Sequence, residues 1–338
     1  YGENAQGKTN LLESVYMLAM GRSFRTRFDR ELIGFGCDSA EILADVVSHE
    51  REQTVRILLR SGVRKQITVN SVKKTASELG ETLNVVLFCP DDLNLIKEGA
   101  AARRRLMDNA ISQIRPRYAE YLSQFNKFYE SKTRILKDWR EKPSLLDTLD
   151  EFSDGMCRSS AQLIRYRASF AARLADEAAP IHSEFSGADE KLGIEYSTVS
   201  AVKDPTASAK EIFYDLCDHM EAHRRAELDS GQCLSGAHKD DLIISINGKN
   251  ARSFASQGQT RTAALSIKLA EREIYLDETG EYPILLLDDV LSELDTKRQE
   301  FVLNRIGGGQ TLITCCEDEG ISRRTGGKVL HVGNGRIG

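Results

Sequence analysis

The sequence predicts an α/β fold with mixed sheets, split by a long helical insertion. Three observations predict it. A glycine-rich loop, Gly2-Glu3-Asn4-Ala5-Gln6-Gly7-Lys8-Thr9, fits G-x-x-x-x-G-K-[ST], and Leu11, Leu12, Val15, Leu18 and Ala19 follow it at helical spacing. Far downstream, Pro283 precedes Ile284-Leu285-Leu286-Leu287, a run apolar enough for a strand buried on both faces, which ends in Asp288-Asp289. Between them, residues 101–189 carry long helical patterning, with Leu122, Phe125, Phe128 and Tyr129 as apolar anchors.

The remaining elements follow in order. After the first helix come strands at Glu41 to Val47, Thr54 to Leu59, Gln66 to Val69 and Val85 to Phe88. The insertion closes with a strand near Ile194 to Val199 and a helix around Lys210 to Leu228. Asn247-Gly248 marks a tight turn between strands at Leu242 to Ile246 and Ala251 to Phe254. Ser256-Gln257-Gly258-Gln259 opens a helix that begins near Thr260, and Asp295 is placed to cap the helix after the aspartate pair. The expected division is a head in two parts, 1–100 and 235–338, with a mainly helical arm lobe over 101–234. Only Tyr1 precedes the loop, and such loops normally follow a buried strand, so the reading expects an N-terminal strand to be missing.

Each motif has a chemical rationale. Glycines let the backbone N–H groups of Gly2 to Thr9 curl around a polyphosphate at the positive end of a helix. Lys8 is suited to the β- and γ-phosphates, and the Thr9 hydroxyl to a magnesium ion. Asp288, at the carboxyl end of its strand, is the second expected magnesium residue. Asp289 is expected to orient or deprotonate the attacking water, so that Lys8, Asp288 and Asp289 form the catalytic set. A serine and free amides at the start of a helix make Ser256 to Gln259 a second anion site.

In this order, the phosphate loop, long insertion, S-x-G-Q signature, aliphatic-Asp-Asp strand and Ser292-Glu293-Leu294-Asp295 resemble the ABC-type ATPase heads of the SMC and RecF group. The chain is most similar to the RecF family of bacterial recombination mediators, with further matches at Gly21-Arg22-Ser23-Phe24-Arg25-Thr26, Pro90-Asp91-Asp92-Leu93, Arg103-Arg104-Arg105-Leu106-Met107-Asp108 and Gly236 to Leu242. The resemblance implies an ABC-type P-loop ATPase head that dimerises around ATP and Mg²⁺. The signature Ser256, Gln257, Gly258 and Gln259 would cap the partner's nucleotide in trans, and the D-loop residues Ser292 and Asp295 would lie at the interface. It also implies a weak, DNA-stimulated ATPase of recombinational repair and replication restart in the cytoplasm. Such a protein binds gapped DNA at single-strand/double-strand junctions and assists RecA loading with RecO and RecR. Three departures stand out. Asp289 replaces the glutamate of transporter ATPases and suggests slow turnover. Gln257 replaces a glycine, and Cys315-Cys316 stand where many such heads carry a switch histidine.

Composition narrows the classes. With 338 residues and no run of about 18 apolar residues, the chain has a core but no membrane span. The net charge of −5 means that DNA contact must come from local basic surface. Residues 101–140 hold ten Lys or Arg against four acids, and Arg103, Arg104, Arg105, Arg134 and Lys137 are the candidates for contact. Arg158, Arg165, Arg167 and Arg173 form a second group, and Arg22, Arg25, Arg27 and Arg30 a third; solvated helix faces would look the same. His238, Lys239, Asp240 and Asp241 read as a sensor or salt-bridge hub linking head to arm, or as a structural turn. The seven cysteines lack C-x-x-C spacing and read as reduced thiols. Two rival readings are a transporter's ATP-binding subunit and a scaffold that holds ATP without hydrolysing it.

Overall fold

The helix required by the Gly2–Thr9 loop follows it directly. This helix, α1, runs Lys8–Met20 and buries Leu12, Tyr16, Met17 and Met20. Gly21 ends it with φ 64°, its N–H donating to Met17 O at 2.7 Å, and a Cβ there would lie 2.6 Å from that of Ala76. The structure, a computed structural model, describes residues 1–3, 5–316 and 326–338.

An antiparallel meander of β1 (Ser39–Ser48), β2 (Arg51–Arg60), β3 (Val63–Val69) and β4 (Val72–Lys74) comes next, with spatial order equal to chain order. Alternation turns Val55, Ile57, Leu59, Ile67 and Val69 inward, where they join Leu12, Tyr16 and Met17 of α1 in one buried cluster. After β5 (Val85–Phe88) come the helices α2 (Ala100–Ile114), α3 (Pro116–Asp138) and α4 (Leu149–Ser186). Then follow β6 (Leu192–Ser197), α5 (Ala209–Ala222), α6 (Arg224–Ser230), β7 (Asp241–Ile246), β8 (Lys249–Asn250) and α7 (Ala251–Phe254). The chain continues through α8 (Gln257–Thr279), β9 (Ile284–Asp288), α9 (Thr296–Arg305), β10 (Thr311–Thr314) and the hairpin β11 (Val332–Gly333) and β12 (Arg336–Ile337). No helix among the described residues is long and apolar enough to cross a membrane.

The second sheet positions the site. Its order is β10-β9-β5, with β9 pairing in parallel on both sides, Thr314 opposite Asp288 and Phe88 opposite Leu287. Leu285, Leu286 and Leu287 are at most 2% exposed, which explains why β9 is apolar without alternation.

The described residues form two compact units: Tyr1–Leu95 with Pro180–Asp189 and Ser256–Gly338, and Ile96–Ala179 with Glu190–Ala255. The division therefore differs from the expected borders at 100 and 234. Residues 235–255 group with the insertion because β7 pairs with β6 along its whole length, from Leu192 opposite Ile246 to Ser197 opposite Asp241. One boundary falls at Pro180, inside α4, where the ladder of helical hydrogen bonds lacks a donor. Two local expectations also change. Asn247 and Gly248 (φ 51° and 73°) make the tight turn, but Ala251–Phe254 is a helical turn instead of a strand, because Asn250 Oδ1 caps it from Arg252 N at 3.0 Å. The helix expected over 210–228 is broken at His223 into α5 and α6.

Within the second unit, Asp240 is the buried centre of an ionic hub. It accepts from Arg167 Nη1 (2.6 Å), Tyr196 Oη (2.5 Å) and Thr198 Oγ1 (2.6 Å), while Arg167 Nη2 reaches Asp108 at 2.8 Å. The Gly236–Leu242 segment is thus a hub within the arm unit, and both α2 arginines facing it are structural. Arg103 is 4% exposed and grips Asp241 through Nε (2.6 Å) and Nη2 (2.9 Å); Arg104 donates to Asp240 O at 2.7 Å. Burial takes Arg103 out of reach of DNA, whereas Arg104 is half-buried. Arg105, Arg134 and Lys137 are exposed.

His238 lies beside the hub, its ring 4.7 Å from that of Tyr129. Nε2 donates to Cys233 O at 2.9 Å, whereas Nδ1 is buried without a hydrogen-bond partner. Burial, aided by the charges of Lys239, Arg104 and Lys132, lowers its pKa from 6.5 to about 4. As the pH falls below 6.5 the unfolded chain takes up a proton that the folded chain refuses, so stability drops, by about 3 kcal/mol once pH 4 is reached. Urea midpoints at pH 7 and pH 5 should diverge accordingly, and His238→Phe should remove that part of the divergence. An unchanged slope in the variant would show that His238 is not its source.

Candidate nucleotide site

The phosphate loop is held from outside by the β11–β12 hairpin. Val332 N donates to Tyr1 O at 2.8 Å, Gly335 N to Gln6 O at 3.1 Å and Asn334 N to Gln6 Oε1 at 2.6 Å. Gly2 is so close to this hairpin that a Cβ would sit 2.2 Å from Val332 O. Ala5 (φ 62°) and Gly7 (φ 105°) take left-handed conformations that bend the loop, and Gly7, the N-cap of α1, offers no side chain to the first-turn amides. Asn4 lies outside the described residues. Lys8 is 8% exposed, and its ammonium crosses the loop to donate to Gly2 O and to Glu3 O (3.0 Å).

Asp288 sits at the carboxyl end of β9, where its Oδ1 accepts from Thr9 Oγ1 and from Thr314 Oγ1, each at 2.9 Å. Thr314 Oγ1 also accepts from Asp289 N at 2.9 Å, so one hydroxyl on β10 aligns both aspartates. Asp289 is half-buried with φ 54°, an uncommon backbone for a residue with a side chain and one that clusters at functional sites. Ser292 Oγ donates to Asp289 O at 2.7 Å, which ties the D-loop to the same turn. Cys316 Sγ lies 3.8 Å from Lys8 Nζ, so the position that many such heads fill with a switch histidine touches the loop lysine.

Ser256 is the exposed N-cap of α8, in a reciprocal capping box: Gln259 N donates to Ser256 Oγ (3.2 Å) and Ser256 N to Gln259 Oε1 (2.9 Å). Gln257 is exposed beside it. Asp295 caps α9 by accepting from Arg298 N at 3.0 Å. Lys8, Thr9, Asp288 and Asp289 are therefore brought together. Among the described residues, no hydrogen-bond partner of Lys8 or Thr9 comes from Ser256 to Gln259. Three contributors escape sequence reasoning: Thr314, Arg298 and the β11–β12 hairpin. Thr314 alone had a legible signal, since aligning the two apolar strands by their ends sets it opposite Asp288.

A glycine loop feeding a helix, an aspartate at the end of the adjoining parallel strand and an exposed signature cap define the head of an ABC-type P-loop ATPase. The Smc head domain of Pyrococcus furiosus has this fold, with a TM-score of 0.52 at 15% identity over 99% of this chain and 87% of that one. No protein-family model matches. The DNA replication and repair protein RecF of Acetivibrio thermocellus is 39% identical over 98% of this chain and 90% of its own, and that of Listeria welshimeri is 42% identical over 96% and 88%. The solved recombination mediator protein RecF-ATPrS of the RecFOR pathway superposes with a TM-score of 0.92, at 34% identity over 100% of this chain and 90% of that one. The chain belongs to the RecF family.

Proposed function

We propose that this chain binds ATP and Mg²⁺, dimerises head to head when ATP is bound, and hydrolyses it slowly to time its residence on DNA. The observation that carries the reading is the Thr9–Asp288–Thr314–Asp289 network facing the Lys8 loop. The residues fit the ligands. Two hard oxygen donors, Thr9 and Asp288, already lie within one hydrogen bond, as an oxygen-preferring cation requires. Among the described residues no side chain caps the first-turn amides of α1, and the Lys8 ammonium is held inside the loop by carbonyls that a phosphate could replace. Bound Mg²⁺ supplies charge neutralisation on the phosphate oxygens. Lys8 and the amides of the loop bind and orient the phosphates, Asp288 and Thr9 hold the metal, and Asp289 accepts a proton from the attacking water. The signature residues Ser256, Gln257, Gly258 and Gln259 contact the nucleotide of the second copy, with Ser292 and Asp295 at the interface.

The relatives, described as DNA replication and repair proteins and as a recombination mediator of the RecFOR pathway, support a role in DNA repair. We propose that the chain binds gapped DNA at single-strand/double-strand junctions in the cytoplasm and, with RecO and RecR, assists RecA loading. Exposed Arg105, Arg134 and Lys137, with half-buried Arg104, are the candidates for DNA contact. Sedimentation with ATP, with ADP and with neither tests the dimer. ATP alone should double the mass, and Ser256→Arg should abolish the doubling while leaving ATP binding intact. A strictly monomeric protein at saturating ATP and Mg²⁺ would sink the proposal. Dimerisation without any hydrolysis in a single turnover would favour the scaffold instead.

A further inference from the structure

Two arginines bolt the signature to the D-loop. Arg298, the third residue of α9, sends its guanidinium to three places. Nη2 donates to Gly258 O at 3.0 Å, Nε and Nη2 reach Thr262 Oγ1 at 3.2 and 3.1 Å, and Nη1 pairs with the Asp295 carboxylate. The absence of a side chain at Gly258 keeps this path open, since a Cβ there would come within 3.2 Å of Nη2. The guanidinium also lies 5.5 Å from the Phe185 ring centre, which limits its rotation. One turn further along α8, Arg261 Nη1 donates to Glu293 O at 2.8 Å and its Nη2 lies 3.5 Å from the Glu293 carboxylate. A planar fork spreads five donors over a rigid frame and so spans a carbonyl, a hydroxyl and a carboxylate at once, whereas an ammonium offers three donors from a single atom.

We infer that Arg298, supported by Arg261, is a positioning residue that keeps the Ser256–Gln259 signature and the Asp295 loop in fixed register, so that both meet a second copy's nucleotide as one rigid unit. This rests on the dimer proposed above. Rigidity matters because each motif alone supplies few contacts, and a loose pair would have to be ordered at the moment of closure.

The test uses the full-length protein with ATP and Mg²⁺. Arg298→Ala should bind ATP as the unaltered monomer does, yet dimerise about 10–100-fold more weakly, as expected for losing one or two charge-assisted hydrogen bonds. Arg298→Lys should recover only part of the loss. Arg298→Gln, which keeps the stem against Phe185, replaces the alanine variant if thermal unfolding shows the latter to be damaged. The decisive readout is mixing Arg298→Ala with Asp289→Asn. Each alone should hydrolyse poorly, but a mixed dimer holds one pocket with an intact Asp289 and an intact clamp from opposite copies. Mixing should then restore activity above the sum of the two variants, up to about a quarter of the unaltered activity, the limit that random pairing would set. Mixed activity no greater than the sum of the two variants, or unaltered dimerisation by Arg298→Ala, would overturn the inference. A monomeric unaltered control would instead overturn the dimer reading itself, and the inference with it.

Discussion

Asp289→Asn is expected to slow ATP hydrolysis by about a hundred-fold or more, the usual scale for removing a general base, while leaving nucleotide binding and dimerisation intact. The structure makes this substitution unusually clean. Asp289 holds a left-handed backbone (φ 54°), and asparagine is among the residues that tolerate that conformation best. Its backbone N–H donates to Thr314 and its carbonyl accepts from Ser292; the carboxylate takes a longer bond from Ser292 Oγ (3.4 Å), which the amide oxygen of asparagine can accept as well. Asp288, not Asp289, is the acceptor for the Thr9 hydroxyl. The fold and the metal-holding pair should therefore survive, and the ATP dimer should persist for longer. Single-turnover hydrolysis and sedimentation measure the two effects together. A normal hydrolysis rate would remove Asp289 from the chemistry; loss of ATP binding would mean that its role is in holding the loop.

Arg167→Ala should be among the most destabilising single changes in the second unit, at about 3–5 kcal/mol, because it strands buried carboxylates without their counter-charge. The Arg167 side chain is 2% exposed and that of Asp240 0%, with Asp108 at 17%, so no solvent is at hand to replace the guanidinium at Asp240. Arg167 also donates to Ala237 O at 2.6 Å, which fixes the turn that carries Asp240. The control is Arg134→Ala. That side chain is 84% exposed in an i,i+4 pair with Asp138, and its loss should cost about 0.5 kcal/mol or less. Denaturant titration of the two variants separates the cases. Equal small effects would show that the hub is dispensable for stability.

These examples show which parts of the fold and site were legible in the sequence. The Gly2–Thr9 loop, the apolar run ending at Asp288 and the alternation in β2 and β3 were legible because spacing along the chain encodes them. So was the capping role of Asp295, which needs only its own helix. The arginines of α2 were misleading for the converse reason. Arg103, Arg104 and Arg105 look alike as letters, yet the helix turns the first toward Asp241, the second toward Asp240 O and the third to solvent. Likewise, residues 235–255 follow β6 because strand pairing outweighs their nearness in sequence to the signature.

By itself, then, the order of residues determined the chemistry on offer: a phosphate cradle, a pair of carboxylates, an exposed helix cap and the elements that carry them. Only tertiary structure decided who meets whom. It set Thr314 across from Asp288, laid the β11–β12 hairpin on the loop and threaded Arg298 between the signature and Asp295. The physical reason is range: periodicity and caps act within a few residues, whereas strand register and buried ion pairing join groups tens to hundreds of positions apart.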